Sequence, residues 1–113
     1  MVDGAYEENK TIKLSQAEVN ALKKAILYLK FTCEETDSLL YASSPLINSV
    51  LGKLLEVDDL SQFSKGFYAK KNTTNQDFLL EKIKCYSKEI DRDLKDDEMQ
   101  DIFKEGVYPF SLD

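Results

Sequence analysis

Five acids near the end of the chain, Glu89, Asp93, Asp97, Asp101 and Glu105, stand four residues apart. On a helix that spacing lays them along one side as a carboxylate stripe. Like charges so placed oppose the helix by about 0.2–0.5 kcal/mol per pair. The stripe therefore calls for solvent, salt, a helix break or a cationic partner. Its chemistry is recognition of a basic protein surface, or mimicry of a phosphate backbone, where complementary charge speeds association and selects partners. A second candidate is Lys65-Gly66-Phe67-Tyr68-Ala69-Lys70-Lys71, which mixes rings with ammonium groups. It reads as a structural loop with Phe67 tucked under it, or as a contact surface built like those that hold single-stranded nucleic acid. The expected partner-binding residues are thus the five acids with Lys65, Phe67, Tyr68, Lys70 and Lys71.

Catalysis finds little to work with. The chain has no histidine, so it lacks the usual general base near neutral pH and the commonest metal ligand. The glycines, at positions 4, 52, 66 and 106, are too scattered to cradle a phosphate. The acidic run from Asp91 to Glu98 fails the helix-loop-helix calcium pattern. Lys95 holds its fifth position, Asp96 its glycine position and Ile102 its last ligand position. Cys33 and Cys85 match no metal spacing and fall on faces predicted to be inward, as small buried hydrophobes. No enzyme, metal or cofactor is expected.

The elements that must position these residues are helical. Ser15 and Glu18 make a capping box, with Leu14 and Val19 as its hydrophobic staple. Behind them Val19, Leu22, Ile26, Leu29, Cys33, Thr36 and Leu40 recur at three- and four-residue steps. This predicts a long first helix from about residue 16 to the late thirties. Ser44-Pro45 starts a second helix, an N-cap followed by proline at the first helical position. Its apolar strip, Leu46, Ile47, Val50, Leu51, Leu54 and Leu55, is strong enough for part of it to face another copy in a homodimer. Residues 58–72 are irregular, with Asp59 capping a short turn and Gly66 stopping it. Thr73 and Gln76 fit a second capping box. Leu79, Ile83, Tyr86, Ile90 and Leu94 give the third helix its inward face. A shorter helix spans about 97–105, and residues 107–113 form an apolar tail.

The whole is a 113-residue chain of net charge −6, with 42% hydrophobic and 32% charged residues. That balance is globular. Four Gly and two Pro leave little turn punctuation, which favours helices. The predicted fold is all-α: a small antiparallel helical bundle with a long N-terminal helix and an irregular middle segment. Residues 1–10 form a flexible N-terminus and 11–113 a single helical domain. The expected core is Leu22, Ile26, Leu29, Ile47, Val50, Leu54, Leu79, Ile83, Tyr86 and Ile90. The acidic balance disfavours nucleic acid and anionic membrane. No membrane span or secretory signal is read, and a cytoplasmic location follows.

Ser44-Pro45-Leu46-Ile47-Asn48, followed by the Thr73-x-x-Gln76 helix start, resembles small helical bacteriocin immunity proteins over those few residues, with longer intervening spacing. That resemblance implies a helical bundle without catalytic residues and an inhibitory or immunity role. The function expected is a small non-enzymatic protein that acts by binding another protein. The alternative is a dimeric DNA-associated regulator that uses residues 11–15 as an arm ahead of an amphipathic helix.

Overall fold

The computed structural model describes residues 8–90 and 94–113; residues 1–7, most of the expected flexible N-terminus, lie outside them, as do Asp91, Arg92 and Asp93. The described chain is mostly helical. Helix α1 spans Gln16–Phe31, a 3-10 turn Thr36–Ser38 leads into α2 (Leu39–Ala42), and α3 spans Pro45–Val57. Then come α4 (Ser61–Tyr68), α5 (Thr73–Glu89) and α6 (Asp96–Val107). Residues 8–15 precede α1 as exposed chain without regular structure, apart from half-buried Leu14.

Two starts form as the sequence predicts. The Ser15 hydroxyl accepts from the Glu18 amide, and the Glu18 carboxylate accepts from the Ser15 amide. Ser44 caps α3 ahead of Pro45. The long first helix does not form. α1 stops at Phe31, because the Thr32 and Cys33 amides both turn to the Tyr28 carbonyl. Glu34 and Glu35 would also crowd the negative end of the helix dipole. The expected Thr73 cap is replaced by Asn72, whose side chain accepts from the Asn75 amide. Gln76 is buried and donates instead to the Leu112 carbonyl. The middle segment is regular: Gly66 does not stop α4 but sits inside it.

The core forms two apolar clusters. Val19 and Ile26 of α1 pack with Leu51 and Leu54 of α3. Leu39, Leu79, Ile83, Leu94 and Val107 make the second, flanked by Tyr86, Ile90, Met99, Ile102 and Phe103. Several expected core positions are displaced. Leu22 and Val50 are exposed, and Leu29, Ile47, Tyr86 and Ile90 are half-buried. On α1 the buried line runs Val19, Ile26, Lys30, with Lys23 half-buried beside it; on α3 it runs Asn48, Leu51, Leu54. Each face is thus rotated by about one residue because polar side chains occupy inward positions. Cys85 is exposed and Cys33 half-buried, and both are free thiols. The buried stripe of α5 passes through Gln76, Leu79, Lys82 and Ile83 and leaves Cys85 outside.

Those inward polar groups join the two clusters. Lys30, fully buried, donates to the carbonyls of Ala42 (2.7 Å), Glu105 (3.0 Å) and Gly106 (3.3 Å). Lys82 donates to the carbonyls of Leu29 (3.0 Å) and Cys33 (2.8 Å) and to the Ser38 hydroxyl (2.7 Å). Each ammonium closes the C-terminal end of a helix, where unpaired carbonyls and the dipole favour a cation. Asn48 on α3 donates to the Glu105 carbonyl and carboxylate. At the far end Asp58, which follows α3, accepts from Lys23, Gln16 and the Leu60 amide. The Lys23 contact holds its carboxyl below the usual carboxylate range, with the Leu60 amide second and burial opposing.

Candidate functional site

Helix α4 is built with its aromatics pointing the wrong way for a core. Its sequence Ser61-Gln62-Phe63-Ser64-Lys65-Gly66-Phe67-Tyr68 buries Ser64, half-buries Tyr68 and leaves Phe63 and Phe67 69% and 50% exposed. The two phenyl rings, one helical turn apart, stack at 6.2 Å between centroids and 14° between planes. Contiguous exposed apolar patches mark contact sites.

The C-terminal tail completes this face. Phe110 lies against Tyr68 (4.8 Å), Phe31 (5.5 Å) and Phe67 (5.6 Å). Edge-on and tilted geometries of this kind are the favourable ones for aromatic rings. The Ser111 amide donates to the Tyr68 carbonyl at 3.0 Å, and Lys71 and Ser111 form an isolated β-bridge. Burial raises the Tyr68 phenol above its ordinary value, with Asp58 adding to the effect. The tail is therefore docked on its own domain.

Phe67 and Phe110 form a wall shared by two grooves. One, of about 630 Å³, runs past Gln62, Phe63, Gly66, Lys70, Lys71 and Asn72. The other, of about 340 Å³, runs past Lys24, Leu27, Tyr28, Phe31, Thr32 and Asn75. Among the described residues, the charged groups lining both are lysines. The face offers ring faces, apolar edges and ammonium groups, the equipment for holding an anionic and apolar surface.

Of the residues expected from sequence, Phe67, Tyr68, Lys70 and Lys71 come together here. Lys65 lies on the other side of α4, in a groove with Gly52, Glu56 and Tyr108. Phe67 is on a helix and half exposed, not tucked under a loop. The sequence alone places Phe63 on a short turn and Phe110 in a tail that docks on its own bundle or serves as a partner-binding arm; it gives no sign that Phe31 joins them. The signal was available in the four-residue step from Phe63 to Phe67, on a helix whose opposite side is serine.

The acid stripe is divided. Glu89 ends α5, where the Thr36 hydroxyl donates to it at 2.6 Å. Asp93 lies outside the described residues, and residues 94–95 are not helical. Asp97 and Asp101 are exposed on α6, with Asp97 in its acidic first turn. There carboxylates favour the helix through its dipole. Glu105 turns inward to Asn48.

No protein-family model matches this chain, and neither a curated protein nor a solved structure matches it.

Proposed function

We propose that this chain is a small protein-binding module, acting without catalysis in the cytoplasm, and that its contact face is α4 with the docked tail. The observation that carries the reading is the stacked, largely exposed Phe63–Phe67 pair beside a groove lined by Lys70 and Lys71. Aromatic anchors of this kind dominate interface energies, typically at about 2 kcal/mol or more each. The lysines select a partner surface that joins acidic and apolar residues. Its net charge of −6 weighs against nucleic acid, which the same rings could stack upon. An inhibitory or immunity-type role is the natural use of such a module: it would cover a partner's surface. Short connections between helices favour antiparallel neighbours, which would make a rigid bundle to present the face.

A photo-reactive amino acid placed at Gln62, in the groove, tests this in cells. We expect one crosslinked protein species that is lost when the probe is moved to Lys13, ahead of α1. Crosslinks to nucleic acid, or the same products from both positions, would contradict the reading.

A further inference from the structure

On another side of the molecule a groove of about 650 Å³ opens between the Thr36–Ser43 stretch, the end of α5 and the middle of α6. Its chemistry is the reverse of the α4 face. Among the described residues, its lining carries the carboxylates of Asp37 and Glu89 and no lysine or arginine. Leu39, Ile90 and Ile102 supply apolar surface, and Tyr41 and Tyr86 supply aromatic rings. Tyr41 is exposed and Tyr86 half-buried. The Thr36 hydroxyl donates to one oxygen of Glu89 at 2.6 Å, which steadies the carboxylate and leaves its other oxygen to accept from a ligand.

We propose that this groove receives an arginine side chain presented by a partner polypeptide. Arginine fits each part of the lining. Its three-carbon stem lies along leucine and isoleucine while the charged head reaches the rim. Its flat guanidinium stacks on tyrosine faces and donates to carboxylates in a fork that an ammonium cannot reproduce. The volume exceeds one side chain and leaves room for a flanking apolar residue. Among the described residues of the stripe, Glu89 is the acid found in this setting. The inference does not depend on the α4 face.

The test is a two-dimensional amide NMR titration of the whole protein with a capped Gly-Leu-Arg-Gly peptide. The control peptide carries citrulline, which keeps the shape of arginine and loses its charge. We expect saturable shifts at Leu39, Tyr41, Glu89 and Ile90, weakened about tenfold or more by citrulline, as for loss of a charge-assisted hydrogen bond. The double variant Asp37→Asn/Glu89→Gln should weaken binding to the same degree. Its glutamine keeps an oxygen for Thr36, and an unchanged spectrum away from the groove would show that it folds. Equal binding of citrulline, unchanged binding by the double variant, or no saturable shift at these residues overturns the proposal. A Phe63→Ser variant should titrate like the wild type, so failure here and failure of the α4 reading are told apart.

Discussion

The ammonium of Lys30 donates to the Ala42 carbonyl at 2.7 Å in the interior, with no exposed surface of its own. Burial pushes that group from 10.5 down to about 7; Glu105 pulls it back up and Lys82 pushes it further down. Lys82 is also lowered, chiefly by burial. The unfolded chain keeps the Lys30 proton up to its ordinary 10.5, while the folded chain gives it up near 7. Across that window the unfolded state binds more protons, so stability rises with pH. Below the window both states are protonated and the full cost of burying the charge remains. The slope is bounded by one proton per group, about 1.4 kcal/mol per pH unit. Urea unfolding from pH 6 to 9 should therefore show a climbing midpoint, and Lys30→Met should flatten it.

At the acid end the sign comes from the opposite case. Asp58 is held below its ordinary 3.8 by Lys23. Its contribution is present above that value and is lost as pH falls through the lower folded one. Lys23→Met should move acid unfolding to higher pH, read by circular dichroism along an acid titration.

Two glycines should answer oppositely to alanine. A Cβ on Gly106 would stand 2.6 Å from Leu79 Cδ2 and 3.1 Å from Cδ1, so the fully buried Leu79 would have to shift. Overpacking of that kind costs about 1–3 kcal/mol. A Cβ on Gly66 meets nothing within 4 Å, so alanine there should add about 0.5–1 kcal/mol through helix propensity. Thermal unfolding of the two single variants should move in opposite directions.

Phe110 is the ring through which the tail is held. Removing it deletes contacts with Phe31, Phe67 and Tyr68. Phe110→Ala should cost about 2 kcal/mol, below the range for a fully buried phenylalanine because the residue is only half-buried. Hydrogen exchange at the Ser111 amide should accelerate by more than exchange in α1, since the tail would release before the domain unfolds.

Helix starts were legible at Ser15, Glu18 and Ser44, where a local side-chain bond defines them, whereas α5 is capped by Asn72 in place of the expected Thr73. Those signals need no knowledge of what the helix packs against. The end of α1 was not legible in the apolar pattern, and the Leu29 and Cys33 carbonyls left there are taken by Lys82, 53 positions from Leu29. The same long-range pairing placed lysines inside, so an apolar-only pattern on α1 pointed to Leu22 in place of Lys23. Lys70 and Lys71 were visible as chemistry in the sequence. Phe110 joins them only through the fold, which brings the last residues back beside Tyr68. Spacing alone does not decide whether the acid stripe is broken; the chain leaves the helix after Glu89.

The central claim is that Phe63 and the groove lysines bind a protein. The most direct measurement is capture of partners by the tagged chain from nuclease-treated lysate of its source cells, run beside Phe63→Ser/Lys70→Glu. Both substituted side chains are exposed, so the variant should keep the wild-type circular dichroism and melting temperature. We predict a stoichiometric protein recovered by the wild type and depleted by at least about tenfold with the folded variant, the loss expected for an anchor residue. Undiminished recovery by the folded variant, or recovery that depends on nucleic acid, would contradict the claim.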